Sequence, residues 1–298
     1  MDAVTRSDIF GAHINSPTPC TPPTIASSTI VSQLSELATE VVSQARKYSA
    51  EGLLNPKKKN DGSWITDADL ASHRFLSERL PLVVDVPVLS EEGYPDFRSR
   101  SDWRNFWLID PIDNTQGLVE GNLATSSVSI VLIIDGAPRL ALVAYLDGDR
   151  SLQVQGDIVS VHTSSDGLRY LTSQEAAAPL RFVSYRASLG EMSDLTRSAL
   201  AGLGVQEQQL VARERLYQRF WAVLNGEADV YLEPRSLPGW DVAPHICGCL
   251  AQGGTAISLL TGKQLNYNSK DMMVGPFIVG RRGVDTGEIQ RRAKIMVR

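Results

Sequence analysis

The stretch "WLIDPIDNTQGLVEGN", Trp107 to Asn122, runs an apolar strand straight into two aspartates three residues apart. A strand that ends on Asp110 and Asp113 brings like charges together. Such carboxylates titrate upward unless a cation holds them. Pro111 fixes the backbone between them, which leaves the Ile112 carbonyl as a further oxygen. The device recurs along the chain. Asp67 and Asp69 open a helix in "ITDADLASH", Glu91 and Glu92 close the strand "VPVLSEE", and Asp241 follows a tryptophan in "GWDVAPH". Each alone reads as a helix cap or a solvated acid. Taken together, in loops at strand ends where α/β chains carry their sites, they read as hard oxygen donors. With no histidine or cysteine among them, that is a donor set for Mg²⁺ and not for zinc.

Around these motifs the pattern alternates between helix and strand. Ile30, Leu34, Leu37, Val41 and Val42 recur at helical spacing, and a second helix starts near Asp67. "TSSVSIVLIIDGAPRLALVAYLDGD" predicts a hairpin turning on Asp-Gly-Ala-Pro. "DIVSVHTSSDG" continues in strand style. The second half opens at "RFVSYRAS" and predicts a helix over 191–203, a strand at "EQQLVAR", and helix then strand in "RFWAVLNGEADVYLE". A helix at "GWDVAPHICGCLAQGG" ends on two glycines, and strands at "TAISLL" and "PFIVG" close the pattern. It predicts a first half that is largely antiparallel and a second that is mixed. There is no internal repeat. The domain reading is a flexible Ser/Thr/Pro-rich arm over 1–29, an α+β half over 30–160 with most of the acidic motifs, and an α/β half over 161–298 with Asp241. Lys57 to Lys59 read as a solvated loop, with a substrate-facing role as the alternative.

Composition narrows the function classes. A net charge of −5 offers no broad basic face for a nucleic-acid polymer or an anionic membrane. No apolar run approaches the ~20 residues of a membrane helix. Cys20, Cys247 and Cys249 form no disulfide framework, which is the usage of a reduced, cytoplasmic protein; Cys247 and Cys249 read as small core residues. The histidines His13, His73, His162 and His245 show no metal-ligand spacing, and no P-loop is present.

The motifs resemble the inositol monophosphatase superfamily of Mg²⁺-dependent, lithium-sensitive phosphatases. The resemblance rests on Glu91-Glu92 after a strand, then Asp110-Pro111-Ile112-Asp113-Asn114-Thr115, then Trp240-Asp241 opening a helix, and it covers about residues 30–290. Within it, "DGSWITDADLASHRFL", "VPVLSEEG", "GEADVY", "GWDVA" and "LNYNSKDMMVGPFIVG" are similar to the bacterial 3'(2'),5'-bisphosphate nucleotidase branch. The resemblance implies a five-layered αβαβα sandwich and two or three Mg²⁺ ions per site. Glu91, Asp110 and the Ile112 carbonyl would hold the first ion; Asp110, Asp113 and Asp241 would hold the second. Asp69 and Thr115 would orient and deprotonate the attacking water, and the helix after Asp113 would cradle the phosphate on its N–H groups. A homodimer is the assembly it implies.

Two places depart from the pattern. Asn114 stands where the superfamily has glycine; asparagine is the next residue to accept left-handed backbone, and its side chain is expected to add bulk near the phosphate. Gln116-Gly117-Leu118 replaces Lys-Glu-Phe, and the loop "GNLATSSVS" is about one residue longer. In "RERLYQRFWAV" a Gly-Ser-Ser-Leu-Lys pattern is lost, and Arg219 takes the lysine's place. Arg186 in "SYRAS" and Arg219 are therefore the candidate contacts for a second phosphate. The expected function is release of phosphate from adenosine 3',5'-bisphosphate. The alternatives are the same chemistry on an inositol phosphate, sugar phosphate or other nucleotide, and a non-catalytic phosphate-binding protein.

Overall fold

The structure is a computed structural model that describes residues 28–186 and 188–293. Of the expected arm over 1–29, only Ser28 and Thr29 are described, and they already belong to the first helix. Two compact units emerge. The first runs to Gly156 and takes in Ser160–Arg169; the second holds Asp157–Val159 and the chain from Tyr170.

The first unit contains α1 (Ser28–Ala50), β1 (Lys57–Lys58), β2 (Trp64–Ile65), α2 (Asp67–Val83), β3 (Val88–Ser90), α3 (Phe97–Arg100), β4 (Phe106–Asp113), α4 (Thr115–Val119), β5 (Ser127–Ile134), β6 (Ala137–Tyr145), β7 (Arg150–Gln155), β8 (Ile158–Thr163) and β9 (Gly167–Leu171). Strands β3 to β9 form one seven-stranded sheet in sequence order. β3 and β4 pair in parallel; β4, β5, β6 and β7 are antiparallel neighbours. The hairpin between β5 and β6 turns on Asp135 and Gly136 alone, at φ 53° and 75°. Two left-handed residues make the tight turn that matches strand twist, so Ala137 and Pro138 are already strand. Along β5 the alternate residues Val128, Ile130, Leu132 and Ile134 meet Leu34, Ala38 and Val41 of α1 and Leu76 and Leu80 of α2 in one buried cluster. The period of two on the strand and of three to four on the helices is the pattern legible in the sequence.

The second unit contains β10 (Phe182–Ser184), α5 (Asp194–Gly202), β11 (Leu210–Ala212), α6 (Leu216–Leu224), β12 (Val230–Glu233), β13 (Leu237–Pro238), α7 (Gly239–Ala251), β14 (Thr255–Ser258), β15 (Met273–Val274), β16 (Phe277–Gly280) and α8 (Thr286–Ala293). Its five-stranded sheet has the order β11-β10-β12-β16-β14, with parallel pairs around β10 and antiparallel pairs around β16. Phe220 of α6 packs edge-on to Tyr231, with ring centroids 5.1 Å apart, and stacks on His245 of α7 at 5.2 Å. Asp229, 1% exposed, is held by Arg181 at 3.1 Å and Arg281 at 2.9 Å. Cys247 and Cys249 are buried and not in a disulfide, and burial pushes the Cys249 thiol up to about 12. They are core residues, as their size suggests.

Several expectations shift. The predicted helix over 191–203 begins at Asp194, because Ser193 caps it by accepting from Thr196 N. "EQQLVAR" is a turn of 3₁₀ helix followed by three strand residues. Strands β7 and β9 and helix α8 are not among the separate elements expected from the sequence; β7 does bury alternate residues, Leu152 and Val154, whereas β9 is largely exposed.

Leu76 is fully buried in the cluster between α2 and the sheet. Leu76→Ala is expected to cost about 2–5 kcal/mol through lost burial and the cavity left behind. Urea unfolding of the purified chain measures it, and a cost under about 1 kcal/mol would contradict this packing.

Candidate metal centre

Three elements of the first unit end beside one another. α2 starts on Thr66, which caps the helix: Thr66 N donates to Asp69 Oδ2 at 2.8 Å and Thr66 Oγ1 lies 2.5 Å from the same oxygen. This reciprocal cap fixes the Asp69 carboxylate and leaves Oδ1 turned elsewhere. Oδ1 receives the Thr115 hydroxyl at 2.8 Å, across 46 residues of sequence. Asp69 is fully buried, and burial raises its carboxyl above the ordinary range against the opposing hydrogen bonds from Thr66 and Thr115. Thr115 Oγ1 also lies 3.1 Å from the Ile112 carbonyl. A hydroxyl has one proton, and the closer carboxylate is the stronger acceptor, so the Ile112 oxygen keeps lone pairs for another partner.

The Asp-Pro-Ile-Asp turn is built by its first residue. Ile112 N donates to Asp110 Oδ1 at 3.1 Å, a side-chain turn over Pro111. The pairing of β4 with β5 slips between Asp110 and Asp113, and a bulge of this kind re-aims side chains. Ligand oxygens of Asp110 and Asp113 come within 4.8 Å of one another. Burial and then Glu91 push the Asp113 carboxyl up to about 6. The Ile112 side chain meanwhile anchors the turn in a small buried cluster with Ala45, Ala68, Leu118 and Leu146.

Glu91 continues from β3, its N–H donating to the Ile109 carbonyl at 3.1 Å. Here a residue emerges that the sequence did not single out. Lys59, expected in a solvated loop, carries a side chain only 11% exposed; its Nζ lies 2.8 Å from Glu91 Oε1 and 2.7 Å from Glu92 Oε1. Burial works against its charge, but the two carboxylates outweigh that and hold the ammonium above its ordinary range. Burial and then Glu91 still push Glu92 up to about 7. The two-stranded ribbon β1–β2 explains why one lysine of three behaves so. Lys58 stacks over Trp64 at 3.7 Å from the ring centroid, and the next side chain on an extended backbone points the other way. That alternation is the one signal that would have found it. His73 supports the same corner, with Nδ1 2.9 Å from Ser90 Oγ.

Asn114 also departs from expectation. It is left-handed, at φ 57° and ψ 56°, so the turn survives without glycine. Its amide does not lie free beside a phosphate position: Nδ2 donates to the Thr125 carbonyl at 3.1 Å and to Thr125 Oγ1 at 2.9 Å. Gly117 makes room for this clasp. A Cβ there would lie 2.3 Å from Thr125 Oγ1 and 2.6 Å from Asn114 Nδ2. The two departures in the motif are one matched pair. The helix that Asn114 opens, α4, has five residues, so only its first N–H groups are available to an anion and little dipole stands behind them.

The second unit carries Asp241, half-buried in the first turn of α7 next to buried Trp240. Arg186 is exposed. Arg219, expected at a second phosphate, is 7% exposed and turned inward. It donates to the carbonyls of Arg213 and Glu214 at 3.2 and 2.8 Å, to Tyr231 at 3.2 Å and to Glu233 at 3.4 Å. Its cation is committed to Glu233, which Arg235 also grips through two hydrogen bonds of 2.8 and 2.9 Å. Burial acts to raise the Glu233 carboxyl, but Arg235 and Tyr231 outweigh it and leave it below its ordinary range. Among the described residues no helix is long and apolar enough to cross a membrane.

All-oxygen donors with carboxyls raised by one another fit a hard divalent cation. Comparison with known proteins agrees. The sequence profile of the inositol monophosphatase family matches residues 23–295. The 3'(2'),5'-bisphosphate nucleotidase CysQ of Salmonella typhimurium is 28% identical over 249 residues, 83% of this chain and 96% of that protein. Its counterpart in Aggregatibacter actinomycetemcomitans is 30% identical over 229 residues, 75% of this chain and 82% of that protein. The crystal structure of CysQ from Bacteroides thetaiotaomicron, a bacterial member of the family, superposes with a TM-score of 0.63 at 22% identity, covering 84% of this chain and 98% of that one.

Two predictions follow from this geometry. Asp113 keeps a proton up to about pH 6 in the folded metal-free chain, whereas the unfolded chain releases it near 3.8. A divalent cation must expel that proton at low pH and not at high pH. At a fixed Mg²⁺ concentration the rise in Tm is therefore expected to be larger at about pH 8 than at about pH 5; equal shifts by calorimetry would contradict the assignment. For the clasp, Gly117→Ala is expected to cost about 1–3 kcal/mol by overpacking. Asn114→Gly in that background is expected to recover part of the loss, so a double-mutant cycle by urea unfolding shows coupling, and simple additivity would dissolve the pair.

Proposed function

The chain belongs to the inositol monophosphatase family and is a phosphatase, and on that premise we propose that it is a Mg²⁺-dependent 3'(2'),5'-bisphosphate nucleotidase, converting adenosine 3',5'-bisphosphate to AMP. The observation that carries the chemistry is the Thr115–Asp69 contact of 2.8 Å. It lies beside the paired Asp110 and Asp113. The substrate reading is supported by the likeness to the CysQ nucleotidases over most of both chains.

In this reading Glu91, Asp110 and the Ile112 carbonyl would hold one ion, and Asp110, Asp113 and Asp241 would hold a second. Bound divalent cations supply charge neutralisation on the phosphate oxygens and the leaving oxygen, and they acidify water. The remaining work falls to the chain. Thr115 Oγ1 accepts the proton of the attacking water as its own proton passes toward Asp69 Oδ1. The raised Asp69 carboxyl suits that role, since a base tuned toward the working pH transfers protons better than an ordinary carboxylate. Thr66 holds Asp69 Oδ2, so only Oδ1 is offered and the direction of transfer is set. The first N–H groups after Asp113 face the phosphate, and exposed Arg186 is the cation for a second phosphate.

One observation favours a second reading, the same hydrolysis on another phosphomonoester. Arg219 is spent on Glu233, so the cation that the nucleotidase pattern places there is not directed at a ligand.

A substrate panel with Mg²⁺ decides between them. Phosphate release is expected to be fastest from adenosine 3',5'-bisphosphate, inhibited by Li⁺ and abolished by EDTA. A preference for inositol monophosphate or a sugar phosphate would overturn the nucleotidase reading, and no release from any member would overturn catalysis. Asp110→Asn is expected to lower kcat on the order of 10³-fold, as loss of several kcal/mol of metal-borne stabilisation requires.

A further inference from the structure

A cavity of about 460 Å³ opens in the first unit between α1 and strands β6 to β8. Nothing in the phosphatase chemistry uses it. Its volume is in the range of small-molecule pockets. The charged groups among its lining residues are of one sign: Arg46 from α1 and Arg150 from β7, joined by His162 from β8. The hydroxyls of Thr39, Ser43 and Ser151 complete the polar wall. No aspartate or glutamate lines it. Two acids lie in the turn beside it, where Asp147 Oδ1 accepts from Asp149 N at 2.9 Å and Asp149 Oδ1 accepts from Ser164 Oγ at 2.8 Å.

The two guanidiniums are placed by the fold. Arg150 lies over the Tyr145 ring, 4.0 Å from its centroid, a cation–π contact that positions it beside the cavity. It also donates to the Ala124 carbonyl. Arg46 reaches the Asp147 carbonyl at 3.4 Å and, among the described residues, makes no ion pair. It passes over Gly148, where a Cβ would stand 3.2 Å from Nη1 and φ is +78°. A side chain at 148 would be strained and would crowd the guanidinium, so the turn leaves room for it.

We infer that this cavity is a binding site for a small organic phosphate, separate from the catalytic carboxylates. Two planar guanidiniums match the geometry of phosphate oxygens, the hydroxyls supply further donors, and the volume exceeds what inorganic phosphate alone needs. The site has a route to the metal loop. Ala124, which takes Arg150, precedes Thr125, which takes the Asn114 amide. A ligand that draws on Arg150 therefore acts on the segment that clasps the turn after Asp113.

The test uses the full chain carrying Asp110→Asn in EDTA, so that metal-borne phosphate binding at the catalytic carboxylates is removed. Calorimetric titration with AMP and with inorganic phosphate is expected to show one saturable site per chain for at least AMP. Adding Arg46→Gln is expected to weaken it at least tenfold, and Arg150→Gln likewise. Arg46 is exposed, so its variant folds even where Arg150→Gln does not. Absence of saturable AMP binding, or binding left unchanged by Arg46→Gln, would overturn the site.

Discussion

Carboxylates that repel one another in a buried corner govern this molecule. Glu91, Glu92, Asp110 and Asp113 are brought together by strand ends in the first unit, and two of them are driven up to about 7 and about 6 by burial and by Glu91. Such a cluster is stable only with protons or a cation. The chain supplies one cation of its own. Lys59 lies within 2.8 Å of both glutamates, which lets β3 and the β1–β2 ribbon close on one another without a metal. A cation drawn to Glu91 would have to compete with this ammonium. Asp69 shares in this balance through Lys59 and Glu92, while the Thr66 cap and the Thr115 hydroxyl take up its oxygens.

The motif's irregular residues follow from a second constraint, the space around the turn after Asp113. A left-handed residue is needed there, and glycine would meet the need at no steric cost. Asparagine meets it with a side chain that has to go somewhere. Here it goes to Thr125, over a position where only glycine fits. The loop from Leu123 to Thr125 is thereby tied to the metal turn. The mobility that a glycine would allow is exchanged for a fixed geometry, which bears on how closely a phosphate can approach.

How far the sequence disclosed this depended on the range of the interactions. The strand that ends in Asp110 and Asp113, the helix opened by Thr66, and the hairpin at Asp135 and Gly136 rest on local periodicity and turn chemistry, and they were legible. So was the set of acidic motifs, since each sits at the end of an element. Lys59 was not, because three lysines in a row look alike until an extended ribbon turns them alternately to Trp64 and to Glu91. Arg219 was misplaced for a similar reason. Its position in the chain marks a cation, but its direction is set by Glu233 and Tyr231, which belong to the strand β12 that follows its helix. The bulk expected from Asn114 at the phosphate likewise gave way to a partner eleven residues away.

The inward turn of Arg219 carries a consequence for specificity. A buried carboxylate such as Glu233 needs cationic partners, and it has two, Arg219 within the core and Arg235 outside it. Removing Arg219 would leave that buried charge to Arg235 alone. The guanidinium is therefore not available for transfer to a ligand without a replacement at Glu233. An arginine in the place of the pattern's lysine thus preserves charge while redirecting it from the ligand to the protein. A second phosphate, if the substrate carries one, has to find its cation elsewhere, and in this unit the exposed Arg186 is the candidate that the fold leaves facing solvent.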